Sequence, residues 1–167
     1  YAIEDLKRAV KLGVRGALVA DEGLLLLTKE MKQRGILPQN FVVKVSVQMM
    51  ASNPVSIKLM EQLGADTYNV PTALTLPKLA AIRQAVDLPL DVYVEAPDGF
   101  GGFIRHYEIP EIIRILAPVY IKFGLRNHPD VYPSGKHLES VNIELCRERV
   151  RRAALGMRII EQYNPEA

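Results

Sequence analysis

The feature that most constrains this chain is a repeated alternation of a helix-like run, a turn, and a short apolar strand-like run. AIEDLKRAVKL ends at Gly13 and RGALVAD follows. NPVSIKLMEQL ends at Gly64 and ADTYNVP follows. Between them GLLLLTKEMKQRG leads to FVVKVSVQ. After them TLPKLAAIRQAV leads to DLPLDVYVEAP, and EIPEIIRILA leads to PVYIKFGL. Glycine at the helix end is the expected stop signal. Five strand candidates about 22 to 30 residues apart, each separated from the next by a helix, predict parallel strands joined by right-handed crossovers. The tail SVNIELCRERVRRAALGMRIIEQY, residues 140–163, reads as one closing helix that frays at Asn164 and Pro165. The fold class is therefore α/β with parallel (β/α) repeats. An open doubly wound sheet or part of a TIM-barrel-like (β/α)8 fold would both produce it.

The strands choose between these. Strands covered on both faces by helices read as continuous apolar runs. Here Val43, Val45 and Val47 alternate with Lys44, Ser46 and Gln48, and the same pattern returns in Asp91, Tyr93 and Glu95 against Val92 and Val94. Tyr120 and Lys122 interleave with Val119, Ile121 and Phe123, and Thr67 and Asn69 share one parity. Successive strand side chains point to opposite faces, so the valines would meet the helices and the polar set would converge on a barrel interior. Lys44 and Lys122 opposite Asp91 and Glu95 could equally be plain buried ion pairs. Five strands do not close an eight-stranded barrel. Residues 1–167 are expected to form a single (β/α)-repeat domain, the C-terminal part of a larger barrel, completed by further chain, by a homo-oligomer or by a second polypeptide.

Composition narrows the function. At 167 residues with 49% hydrophobic content the chain can bury a sizeable core. Twenty-one basic against 19 acidic residues, mixed along the chain, leave no footprint for nucleic acid or an anionic membrane. A single cysteine, Cys146, excludes an internal disulfide and, with no apolar span or signal segment, fits a cytoplasmic setting. In barrels the working residues lie at the carboxyl ends of strands. That places Asp21, Glu22, Gln48, Asn69, Glu95, Asp98, Arg126, Asn127 and His128 at the candidate site. Glu95 enters EAPDGFGGFIRHYE, whose glycines allow a close or mobile loop. Glu95, Asp98, His106 and His128 are suitable metal-ligand types without a metal-site spacing. Lys44 and Lys122 raise imine chemistry, in which a desolvated lysine attacks a carbonyl.

In order, GALVADEGLL and then VSVQMMASNPVSIKLMEQLGADTYNVPTALTLPKLAAI resemble the barrel of peptidase family U32, and IKFGLRN with RERVRRAALGMRIIEQY is similar to its strand end and closing helix. The resemblance implies a TIM-barrel-like fold supplied in part by this chain, and a peptidase. Relatives in the family hydroxylate ubiquinone precursors or RNA and hold an iron–sulfur cluster through clustered cysteines. Where those cysteines would follow LDVYVEA this chain has PDGFGGF, which argues against an iron–sulfur site within it. Any other cofactor, and metal dependence, stay unknown from the sequence.

The leading expectation is a U32-like hydrolase acting on a peptide or small molecule. Glu95 would be its general acid or base, Ser46 a candidate nucleophile, and Lys122 and Arg126 its anion holders. Gln48 and Asn69 would orient substrate, with Lys44, Asp98 and His128 completing the pocket. The alternatives are a lyase or aldolase using Lys44 or Lys122, and a non-catalytic module that completes a barrel with another segment.

Overall fold

The computed structural model describes residues 1–131 and 134–163. The chain divides into two compact units, Tyr1–Asp91 and Val92–Ala167, with the boundary inside one strand. The fraying expected at Asn164 and Pro165 lies outside the described residues.

In the first unit the order is α1 (Ala2–Lys11), β1 (Gly16–Val19), α2 (Glu22–Gln33), β2 (Val42–Val45), α3 (Pro54–Gln62), β3 (Thr67–Asn69) and α4 (Leu76–Ala85), followed by the start of β4 (Leu90–Glu95). β1, β2, β3 and β4 pair in parallel and in sequence order. The helices start where a polar side chain can take the first free N–H groups. The Asp21 carboxylate accepts from Leu24 N–H at 2.7 Å, and the Asn53 side-chain oxygen accepts from Ser56 N–H at 2.9 Å, with Pro54 at the first helical position. Past the C-cap Leu63 of α3 comes Gly64, whose φ of +109° sends the chain into β3. A Cβ there would sit 2.7 Å from Cβ of Lys29.

Register fixes the faces. Partners in a parallel pair point the same way, so Lys44 beside Thr67, and Asn69 beside Asp91, form one polar face. Val43, Val45, Tyr68 and Leu90 form the other and are fully buried, with Leu25, Ile57, Leu79 and Ile82 of the helices. Each such side chain contributes roughly 1.5–3 kcal/mol by leaving water. The alternation read from the sequence is the observed one up to Val45. Beyond it, the strand expected over 41–48 is corrected. Val47–Met49 form a 3₁₀ turn capped by Ser46, whose Oγ accepts from Gln48 N–H at 3.3 Å. Local side-chain capping wins over the ladder there, and Gln48 is exposed instead of continuing the polar face.

In the second unit β4 runs on to Glu95, beside β5 (Val119–Phe123), with α5 (Ile109–Leu116) between them and α6 (Glu139–Tyr163) closing the chain. After β4 the chain turns through Asp98–Phe100 and comes back antiparallel, bridging Ile104 to Glu95. Val94, Ile109, Ile112 and Leu116 are fully buried or nearly so. The class is α/β with parallel (β/α) repeats, five strands among the described residues, as the alternation predicts.

Candidate functional site

The polar face of the first unit is a paired network. The Lys44 ammonium pairs with Asp91 Oδ1, and Thr67 Oγ1 donates to Asp91 Oδ2 at 2.7 Å. Asp91 is 1% exposed, and a carboxylate that dry needs both partners. Of the two acids expected opposite the lysines, Asp91 takes Lys44, while Glu95 meets His106 and Arg152 instead. Asn69 is also buried, its amide donating to Val45 O at 2.6 Å, and Ser46 is occupied as the turn cap. Asp21, expected at a strand end, caps α2.

In the second unit Glu95 is 1% exposed and ties three segments together. Its Oε1 accepts from Arg126 N–H at 3.2 Å. Its Oε2 lies 3.1 Å from His106 Nε2 and 3.4 Å from Arg152 Nη1. The histidine contact lies at ion-pair distance without hydrogen-bond alignment. Burial, and then the nearby Arg152 cation, hold the His106 pKa below its usual value against the opposing pull of Glu95. His106 also stacks edge-on to Phe123, with ring centres 5.6 Å apart.

Along the later parts of β4 and β5 and the loops beyond them, the second unit opens a groove of about 720 Å³, a size that suits a small ligand or a short peptide. Its walls include Tyr93, Phe100, Lys122, His128, Asp130 and Arg149, together with the Asp98–Gly99 turn. Tyr93 and Phe100 face each other at 6.2 Å, and Lys122 Nζ sits 4.3 Å over the Tyr93 ring, a cation–π contact. Asp98 latches the two strand ends together: Oδ2 accepts from Asn127 N–H at 2.7 Å and Oδ1 from Arg126 Nε at 3.1 Å. These bonds hold its pKa below the ordinary carboxylate value. His128 Nδ1 lies 2.7 Å from Pro129 O. A carbonyl can only accept, so Nδ1 carries the proton and Nε2 is left as the basic nitrogen.

Of the residues expected at the site, the groove collects Lys122, Asp98 and His128. Arg126 is engaged with Asp98, and Glu95 is buried and not part of the groove wall. Lys44, Ser46, Gln48 and Asn69 belong to the first unit. Among the described residues no group of three His, Cys, Asp or Glu could hold a metal ion. A second hollow of about 790 Å³ runs along α6 past Ile143, Cys146 and Val150, away from the strand ends. The sequence placed Tyr93 on the polar strand face without marking it as a site residue, and gave no notice of Phe100, Asp130 or Arg149. For Arg149 there was a signal: the residues three and four away are Leu145, Cys146, Arg152 and Ala153, with no acid among them.

Three comparisons bear on this. The model of peptidase family U32 matches residues 1–96, more than half of the chain. No curated protein matches it. A solved structure described as the U32 peptidase Mk0906 is 27% identical over 57% of this chain, at a TM-score of 0.47. The chain spans only 37% of that protein's solved length. The matched residues hold the Lys44–Asp91 network and reach Glu95, while most of the groove lies beyond them.

Proposed function

Because the chain belongs to peptidase family U32, we propose that it serves a peptidase-type hydrolase, with the peptide lying in the groove at the ends of β4 and β5. The observation that carries this is His128, a wall of that groove whose proton is fixed on Nδ1 by Pro129 O. In the proposed step a water gives a proton to Nε2 as its oxygen bonds to the peptide carbonyl carbon. The C–N bond then breaks and the departing amine takes that proton back. Lys122, held over Tyr93, supplies positive charge where the carbonyl oxygen gains an electron pair. In this reading Glu95 is a positioning residue. It holds the backbone of Arg126, two residues before His128, and its oxygens do not reach solvent. Ser46, Asn69 and Lys44 serve the first unit's fold.

A fluorogenic peptide mixture incubated with the full chain tests this. The expected result is measurable hydrolysis that falls about 10²-fold or more in His128→Gln, with the far-UV spectrum unchanged. Full turnover in that variant, or none in the wild type, would overturn it.

A further inference from the structure

We propose that Arg149 is the receptor for a carboxylate in this groove, the free C-terminus of a bound peptide. The inference rests on the reading of the groove as the peptide site.

α6 carries closely spaced arginines, and three of them are satisfied on their own helix. Arg147 pairs with Glu144 at 2.6 Å, and Arg151 and Arg152 both pair with Glu148 at 2.6 Å. Arg149 is different. It faces the groove and has no ion pair or hydrogen bond among the described residues, and its Nε is fully buried without a partner. Arg149 as a whole is half-buried, but a dry guanidinium N–H without an acceptor is unfavourable, and an anion entering the groove would supply one. The guanidinium fork matches a carboxylate through two parallel N–H bonds.

The other charges on the groove leave room for that anion. Asp98 is already taken by Arg126 and the Asn127 N–H. Lys122 adds a second cation over Tyr93, and Asp130, itself engaged, is the other acid on the wall. The Tyr93 and Phe100 rings give an apolar surface for the side chain that precedes the carboxylate. A terminal carboxylate next to an apolar residue fits this set, and it would fix which peptide bond meets His128.

Isothermal titration of the full chain with three short peptides tests the assignment. One ends in phenylalanine as the free acid, one is its C-terminal amide, and one is that amide with an internal aspartate. The free acid should bind about ten-fold tighter than either amide, and the preference should nearly vanish in Arg149→Gln and be partly kept in Arg149→Lys. Equal binding of free acid and amide by the wild type would overturn the proposal. So would an undiminished preference in Arg149→Gln that keeps the native far-UV spectrum, or an internal aspartate that binds as well as the terminal acid. Hydrolysis is scored separately. Acid preference without cleavage removes the peptidase reading and leaves the receptor standing, whereas cleavage without acid preference does the reverse.

Discussion

The residue that shapes the second unit's response to pH is His106. Its folded-state pKa is lowered by burial, with Arg152 pushing the same way and Glu95 opposing. The unfolded chain therefore binds the proton more readily. The stability tied to neutral His106 is complete above the ordinary histidine value of about 6.5 and is lost as the pH falls below it toward the folded value. Denaturant unfolding across that range should show wild-type stability declining on acidification, with a smaller decline in His106→Gln. A decline of the same size in both would show that His106 is not responsible. This behaviour was not legible in the sequence. His106 sits in a glycine-rich segment and looks like a loop histidine until the chain folds back along β4 and buries it beside Glu95 and Arg152. Lys44 is the opposite case. Alternation along its strand placed it on the polar face with two acids of matching pattern, Asp91 and Glu95, and the folded sheet chose Asp91.

Among the elements, β5 is approached closely from two sides, and glycine makes each approach possible. A Cβ on Gly124 would meet Pro97 Cδ at 2.5 Å and Glu95 O at 2.8 Å, a rigid ring and a backbone oxygen that cannot step aside. A Cβ on Gly156 of α6 would meet Phe123 Cζ at 2.6 Å and Ile109 Cδ1 at 3.2 Å, which are side-chain tips that can move. Alanine in mid-helix also recovers roughly 0.5–1 kcal/mol of propensity over glycine. Gly124→Ala should therefore lose about 1–3 kcal/mol of unfolding free energy, and Gly156→Ala clearly less. Chemical denaturation of the two variants checks the order, and a reversed ranking would show that the β4–β5 end is softer than the α6 contact. The elements themselves were readable in advance because period and caps are local. The 3₁₀ turn at Val47–Met49 was not, since a valine-rich alternation continues through it and only the Ser46 cap interrupts the strand.

On the scale of the whole molecule, strand order among the described residues leaves β1 and β5 with one neighbour each. A strand with a free edge offers unpaired N–H and C=O groups to another chain, and β1 also exposes Leu18. We expect a native mass spectrum of the purified chain at tens of micromolar to show a dimer or a co-purified polypeptide, and a bare monomer at every concentration would count against a completed sheet. No helix among the described residues is long and apolar enough to cross a membrane. The sequence by itself determined the helices and strands, their parallel order and which strand face is polar, because turn signals and side-chain periodicity act over a few residues. It also carried the family, through motifs that the family model matches over residues 1–96. Only the tertiary structure decided what the polar residues do. It paired Lys44 with Asp91, buried Glu95 under three segments, and brought Tyr93, Lys122, His128 and Arg149 to one groove. Those are contacts between residues far apart in the chain, and no local pattern encodes which of several same-parity partners a folded backbone will bring within reach.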